Sequence, residues 1–505
     1  MNNNLFSKIT HSIPNKSSIF VELTSDEKFS YYDMLSKTGI YANALLKLGA
    51  KKGDRVIVQA DKSIEIIWLY LASLRLGTIF ITLNPSYTLA ETEYFIKDSK
   101  PVLFLTDKLL LNPKLQKVTS QNGVKKTISL NPSDESNLSQ MLDLNQTHFP
   151  TALCDGTETA AILYTSGTTG RSKGAMISHN NLFSNAKALS EVWKFSASDK
   201  LLHILPIYHT HGLFVALNTV MVSSGSIVFH VKFNEKQVVE KLSEVTVFMG
   251  VPTHYIRLLN DKNLSEIQSK NVRLFISGSA PLSAEIHNKF ERKTGKAILE
   301  RYGMTETNMI TSNPYFGTRR PGTVGFPLPQ VKVRIVNMET GLKVNRGEVG
   351  VIEVKGPNVF QGYWNLQKQT EQDFREDGYF ITGDLGFFDN QGYLNISGRC
   401  KDLIISGGLN VYPAEIEKIL DSVFGVQESA IVGLPHPDYG EAVTAFITVE
   451  HSFSVRENEI KRNLKDRLAS FKVPLKIIQL SSLPKNAMGK VQKIELRKNF
   501  SHLYT

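Results

Sequence analysis

The stretch with the clearest chemical signature is residues 164–175, Tyr-Thr-Ser-Gly-Thr-Thr-Gly-Arg-Ser-Lys-Gly-Ala. Between Thr165 and Gly174, three glycines, five hydroxyl residues and two cations fill ten positions, a mixture that no packed core selects. Glycine lets backbone come close to a ligand. Hydroxyls and free N–H groups donate to oxyanions, and Arg171 and Lys173 balance charge. The apolar run Ala160-Ala161-Ile162-Leu163-Tyr164 ahead of the loop predicts a buried strand. The loop then falls at a strand end, where open α/β sheets bind ligands. This is the pattern of a phosphate cradle. It is not a Walker loop, because Gly174 rather than Ser or Thr follows Lys173 and the glycine spacing differs. A Ser/Gly-rich surface turn would account for the composition alone, but not for what the rest of the chain supplies.

Further groups with chemical potential also follow strand-like runs. His209 and His211 lie two apart in the apolar segment Leu205–Ala216; nothing nearby completes a metal set, so they read as core or pocket-lining histidines. Arg257 has Ile256, Leu258 and Leu259 around it, and a cation there must reach solvent or find an anion. The run Arg273–Leu282 is a strand passing into a small-residue turn, Ser277-Gly278-Ser279-Ala280-Pro281, with space for a flat ring. A polar, aromatic cluster, Glu300-Arg301-Tyr302-Gly303-Met304-Thr305-Glu306, follows another strand-like segment. Asp384 stands at the end of Tyr379-Phe380-Ile381-Thr382-Gly383, where it could hold a ribose, and a second glycine loop, Ser406-Gly407-Gly408, comes after Arg399-Cys400-Lys401-Asp402.

The elements that position these residues alternate at short spacing. Helical apolar spacing over 30–48, a strand at 55–58, a helix over 63–75, a strand at 79–81, a helix near 90–98 and a strand at 102–105 predict a doubly wound parallel sheet. Residues 321–356 carry the short strands and Gly/Pro turns of a small antiparallel barrel. The last hundred residues alternate helices and strands and end in Pro484–Lys493, PKNAMGKVQK. A chain of 505 residues exceeds one ordinary core and implies several domains or subdomains. The net charge of +10 is spread along the chain, with no basic run interleaved with aromatics. That argues against nucleic-acid binding and suits polyanionic small substrates. Two distant cysteines, Cys154 and Cys400, exclude a disulfide scaffold and leave a reducing compartment as the default; with no signal sequence visible, a cytoplasmic location is expected. Residues 201–231 contain no Asp, Glu, Lys or Arg, but their histidines, Pro206, Asn218 and glycines point to a buried strand–loop–helix rather than a membrane span.

In order and spacing, YTSGTTGRSKG, ERYGMTET, YFITGD, GRCKD with LIISGG and LNVYP, and PKNAMGK resemble the adenylate-forming family of acyl-CoA synthetases and luciferase-like ligases. The likeness runs over essentially the whole chain, and HTHGLF, MGVPTHYIRLL and FISGSAPL look closest to its malonyl-CoA synthetase branch. The resemblance implies an α/β fold with a large N-terminal domain, residues 1–400, of two doubly wound α/β subdomains plus a small β-barrel over about 320–400. A small α+β C-terminal domain, 401–505, would follow on a hinge at Lys401. It implies an ATP- and Mg²⁺-dependent ligation of malonate to coenzyme A through an acyl-adenylate. Thr165, Ser166, Gly167, Thr168, Thr169, Gly170 and Lys173 would orient phosphates. Thr305 would contact the α-phosphate, and Glu306 would help hold Mg²⁺. Gly278, Ser279, Ala280 and Pro281, with Glu300, Arg301, Tyr302 and Gly303, would form the adenine slot. Asp384 would accept from the ribose with Arg399 beside it, and Lys490 would be the adenylation cation. The loop Ser406-Gly407-Gly408 would line the pantetheine tunnel. A malonate enzyme must also pair a second carboxylate, for which Arg257 is the expected partner with His209 and Ser277 in support. Acetylation of Lys490 would remove the charge that the first half-reaction needs. Other readings stay open at this stage: a fatty-acyl or aryl-CoA ligase, an adenylation module that loads a carrier protein, and a non-enzymatic adenylate binder.

Overall fold

The computed structural model describes residues 2–107, 111–131, 137–166, 172–449, 457–486 and 489–504. The alternation read from apolar spacing is present nearly element by element. Helix Tyr31–Lys47 begins at a reciprocal cap, in which the Ser30 hydroxyl accepts from the Asp33 N–H and the Asp33 carboxylate accepts from the Ser30 N–H. Strand Arg55–Gln59, helix Ile64–Leu76, strand Ile79–Leu83, helix Leu89–Ser99 and strand Leu103–Thr106 follow.

Two large sheets result. One has six strands in the spatial order Lys126–Ser129, Leu103–Thr106, Arg55–Gln59, Ile79–Leu83, Thr159–Ser166 and Ser172–Ser178. Its strands are parallel except for the last two, an antiparallel hairpin that pairs Thr165 with Lys173. The other has nine strands in the order Phe326–Pro327, Asn308–Ser312, Ile298–Met304, Leu274–Ser277, Val247–Gly250, Lys200–His203, Ser226–Phe229, Ile19–Leu23 and Lys28–Ser30. Its six middle strands are parallel and its edges antiparallel. Strands Val247–Gly250 and Leu274–Ser277 are buried at every position, as parallel strands covered on both faces must be. Helix Ile64–Leu76 is apolar all round and buries every residue except Glu65, so it lies inside the main core rather than over it. The charge-free stretch 201–231 is interior as expected. It holds strand Lys200–His203, a π-helical turn His211–Asn218, helix Thr219–Val222 and strand Ser226–Phe229.

One expectation fails. The region about 320–400 is not a closed barrel but a four-stranded antiparallel sheet, ordered Lys332–Val336, Gly350–Lys355, Phe380–Phe388 and Leu394–Arg399. Closure is unnecessary because both faces are already covered. Ile335, Ile352, Val354, Phe380 and Leu394 join the main core, while Val336, Val351 and Leu385 meet Cys400, Leu403 and Tyr412 on the other side.

After the short 3₁₀ turn Cys400–Asp402, a five-stranded sheet forms from Ile404–Ser406, Leu409–Val411, Val426–His436, Gly440–Val449 and Lys476–Gln479. It carries two apolar clusters separate from the main core. Cys154 and Cys400 are free thiols, and no helix among the described residues is long and apolar enough to cross a membrane.

The entry ends of three parallel strands are tied by one buried carboxylate. Asp199 accepts from Arg273 Nε at 2.7 Å and Nη2 at 2.8 Å, from the Thr246 hydroxyl at 2.8 Å and from the Ser196 N–H at 2.9 Å. Asp199→Ala should lower stability in denaturant unfolding by about 3 kcal/mol, since it strands the Arg273 guanidinium.

Candidate active site

Strand Thr159–Ser166 delivers Thr165 to the base of the glycine hairpin, and the rest of the phosphate-side constellation assembles around it. The Thr165 hydroxyl donates to Glu306 Oε1 at 3.2 Å, and the Tyr363 hydroxyl donates to the same oxygen at 3.2 Å. Lys173 is buried, with Nζ 3.3 Å from Asp373 Oδ2 and 4.4 Å above the Tyr363 ring. Burial raises the Glu306 carboxyl above its ordinary range, and among the described residues no cation pairs with it directly. Of the expected cradle, Gly167, Thr168, Thr169 and Gly170, together with the Ser166 side chain, lie outside the described residues. Tyr363 and Asp373 escape sequence reasoning. Their segment runs along the hairpin edge through Trp364 N–H to Gly174 O and Met176 N–H to Gly362 O, a pairing that only the fold creates.

Strand Ile298–Met304 divides the site, because successive side chains point to opposite faces. On one face the Tyr302 hydroxyl donates to Asp384 Oδ2 at 2.5 Å, and Asp384 is paired at 2.6 Å with Arg399, its cross-strand neighbour. Glu300, on the same side, is buried. It sits 3.2 Å from His287 Nδ1 and accepts the Gly322 N–H at 3.0 Å, so both contacts serve the scaffold.

On the opposite face lies Arg301, which the sequence assigns to the adenine slot. Its guanidinium is packed under Gly278, where a Cβ would come within 2.5 Å of Cζ; only glycine leaves room. Arg301 is 3% exposed, and neither Nε nor Nη2 has a partner among the described residues. Burial lowers its pKa to about 9. His211 feels its charge, and His211 Nε2, His209 Nε2 and, one residue before Gly278, Ser277 Oγ are likewise buried without a partner among the described residues. Burial, followed by the charge of Arg301, holds His211 well below its usual range, and burial brings His209 to about 4, so both rings are neutral. Ser279, held at φ +72° where a non-glycine residue is strained, sets its hydroxyl 3.3 Å from His211 Nδ1. Thr210, between the two histidines, donates to the Thr305 hydroxyl at 3.4 Å and links this wall to the Thr305–Glu306 corner. Ala280 and Pro281 continue the turn toward solvent, and Gly303 lies on the dividing strand.

Arg257, unlike Arg301, is neither buried nor unpaired. Its side chain is 50% exposed, ion-paired with Glu235 at 2.5 Å and stacked 4.8 Å over Phe233. On helix Pro252–Asn260 its neighbours Tyr255 and Leu258 face the core, which turns Arg257 to the water side.

The C-terminal region reaches the same cleft. The Lys490 side chain is solvent-exposed, yet its ammonium is disfavoured first by loss of water and then by Arg399 and Lys401, with Asp384 and Asp402 opposing. Gly489 abuts Thr253 of the N-terminal region, where a Cβ would come within 2.9 Å of Cγ2. Lys401 is exposed in the linking turn. Gly407 and Gly408 have φ +57° and +78°, the two central positions of a tight hairpin between Ile404–Ser406 and Leu409–Val411, and Ser406 is buried beside them.

Residues 11–364 match the AMP-binding enzyme family, and residues 415–490 match the AMP-binding enzyme C-terminal domain. The chain belongs to the AMP-binding enzymes. A malonate–CoA ligase of Arabidopsis thaliana is 36% identical, aligned over 90% of this chain and 79% of its own. A long-chain-fatty-acid–CoA ligase of Bacillus subtilis is 31% identical over 93% and 90% of the two chains. ATP-bound MatB from Rhodopseudomonas palustris superposes with a TM-score of 0.97 at 46% identity over the whole of both chains. The apo structure of that protein scores 0.86. The arrangement described here is therefore nearer the ATP-bound one.

A carboxyl whose pKa is raised on folding binds more protons in the folded state, so stability falls as pH rises through the shifted range. Glu306→Gln should therefore raise the Tm of the ligand-free protein more at pH 8 than at pH 5. Equal shifts at both pH values would mean that the carboxylate is already compensated.

Proposed function

We propose that this AMP-binding enzyme joins malonate to coenzyme A through a malonyl-adenylate, releasing pyrophosphate and AMP. The observation that carries the substrate is the buried Arg301. Its Nε and Nη2, without partners among the described residues, are adjacent N–H donors in the fork that a carboxylate accepts side-on; His211 beside it is a neutral donor, and Ser277 and His209 are further buried donors proposed to line the same pocket. An unpaired buried cation is costly, and a substrate anion compensates it. A long-chain acyl group would bring only methylenes to that cation, which weighs against the fatty-acyl reading.

In the first half-reaction one carboxylate oxygen of malonate attacks the α-phosphorus of ATP, and pyrophosphate leaves. The other carboxylate stays on Arg301. Thr165 and Lys173, released from Asp373, orient the outer phosphates, Thr305 donates at the α-phosphate, and Asp384 accepts from the ribose with Tyr302 and Arg399 fixing its position. The adenine slot is the turn Gly278–Pro281 with Tyr302. Lys490 supplies the cation where charge builds on the transferring group. Glu306 suits a magnesium ion. It is one buried carboxylate flanked by neutral hydroxyls, with no three-residue metal cage among the described residues, and Mg²⁺ prefers one or two carboxylates plus substrate phosphates. Bound there, the ion would neutralise phosphate charge.

In the second half-reaction the thiolate of coenzyme A attacks the acyl carbonyl and AMP departs. Residues 1–400 and 401–505 act as two domains hinged at Lys401. Rotation withdraws Lys490 and brings the Ser406-Gly407-Gly408 hairpin to the cleft, where its bare backbone lets the pantetheine chain pass. Acetylation at Lys490 would silence the first half-reaction alone.

Substrate-dependent pyrophosphate release across malonate, succinate, butyrate and octanoate tests the assignment. Malonate should lead. Arg301→Met should cut kcat/KM for malonate by about 10³-fold or more while changing butyrate far less, because a site built to bind a polar group discriminates strongly. Arg257→Ala should leave malonate use nearly intact, and a selective loss of malonate there would return the carboxylate to Arg257. Lys490→Ala should slow adenylate formation by about 10²–10³-fold. It should still convert synthetic malonyl-adenylate with coenzyme A, which mass spectrometry of the thioester reads directly.

A further inference from the structure

Lys62 is a buried lysine that the reaction does not use. It is 7% exposed and lies just ahead of helix Ile64–Leu76; burial holds its ammonium well below the ordinary lysine range, and it has no ion-pair partner among the described residues. Its Nζ is 2.9 Å from His203 Nδ1, 2.9 Å from the His203 carbonyl and 2.6 Å from the His230 carbonyl, and it lies 4.4 Å from the centre of the Phe229 ring. On the far side of its ring, His203 Nε2 lies 2.9 Å from the Gly212 carbonyl. That carbonyl demands a donor, so a neutral His203 carries its hydrogen on Nε2 and accepts at Nδ1. Three ammonium hydrogens then meet three acceptors. Burial and the neighbouring Lys62 hold His203 near pKa 3, consistent with the neutral ring.

Gly212 is the second residue of the π-helical turn His211–Asn218. Such turns are rare and cluster at functional sites. This one is pressed against its own entry, since a Cβ on Gly212 would fall 2.1 Å from the Pro206 carbonyl. Its other end is tied at Asn218 Oδ1 by the Tyr70 hydroxyl at 3.2 Å, from the helix that Lys62 precedes. The turn opens with His211, and Thr210 and His209 come immediately before it.

We propose that Lys62 and His203 are positioning residues that set the enzyme's grip on the free carboxylate of malonate, by pinning the Gly212 carbonyl and with it the histidine wall facing Arg301. This rests on the malonate reading above. A hydrophobic residue of Lys62's size would fill the space without the desolvation penalty of a buried cation. What lysine adds is direction: it fixes the tautomer and rotation of His203, and so the position of the turn.

The test is steady-state kinetics of the full-length enzyme with Lys62→Met, His203→Phe and His203→Gln, beside thermal melts. Lys62→Met and His203→Phe should raise KM for malonate about tenfold or more, since a displacement of about 1 Å at a site costs that much. KM for ATP should stay within about twofold. His203→Gln, which keeps an N–H for the Gly212 carbonyl, should recover most of the loss. If His203→Phe equals or beats His203→Gln, or if both KM values rise together with a falling Tm, the pair only fills space and the proposal is overturned. If Lys62→Met does not fold, the two His203 variants decide. Wild type assayed on malonate and butyrate separates the two claims: a butyrate preference sinks the malonate reading, whereas a malonate preference with unaltered variants sinks only the positioning role.

Discussion

The site depends on keeping charged groups dry and uncompensated until substrates arrive. Arg301 and Glu306 are both buried with no opposite charge paired to them among the described residues, and each is driven toward its neutral form by loss of water. In a low-dielectric interior such groups are costly to hold and strong once matched. The fold offsets that cost elsewhere, through the continuous apolar core from Leu5 to Leu394 and through ties such as Asp199 with Arg273. On the proposed reading, such a site would select by completion of charge, with phosphates and a metal ion at one end and a second carboxylate at the other.

A single strand separates those two tasks. Because side chains alternate across Ile298–Met304, Tyr302 reaches Asp384 on one side while Arg301 reaches the space beneath Gly278 on the other. Thr305 and Glu306 follow where the strand ends, with the Thr210 hydroxyl meeting Thr305 from one direction and Thr165 meeting Glu306 from another. The reacting carboxyl and the α-phosphate would have to meet at that corner. This is the economy of an α/β sheet whose functional residues collect at the carboxyl ends of its strands.

The C-terminal region packs on apolar clusters of its own and joins the rest through the short turn Cys400–Asp402, in which Lys401 is exposed; the proposed rotation needs both features. In the arrangement described, Lys490 stands near Asp384 and Arg399, and Gly489 touches Thr253. The tight turn at Gly407–Gly408 is exposed.

Much of this was legible in the chain alone. Apolar spacing identified the helices and strands between residues 30 and 105, because burial on one face leaves a period that survives in sequence, but not the helix Leu5–His11 or the strands Ile19–Leu23 and Lys28–Ser30. The glycine loop stood out because phosphate chemistry needs residue types that cores avoid, and Asp384 because it is a carboxylate at a strand end, whereas the roles expected of Glu306 and Lys490 came from the resemblance of their motifs. Other features could not be read linearly. The sheet at 332–399 stays open because its faces are covered by residues distant in sequence. Arg257 sits among apolar neighbours in the sequence and Arg301 in a polar cluster, so the local pattern points the wrong way about which is dry. Only the tertiary structure turns Arg257 to Glu235 and solvent and drives Arg301 under Gly278. Tyr363, Asp373, Thr210 and the Lys62–His203 pair were invisible for the same reason. Sequence determines which chemical groups are available and the period on which they recur; solvent exclusion, which decides what a charge is worth, exists only after distant segments have packed together.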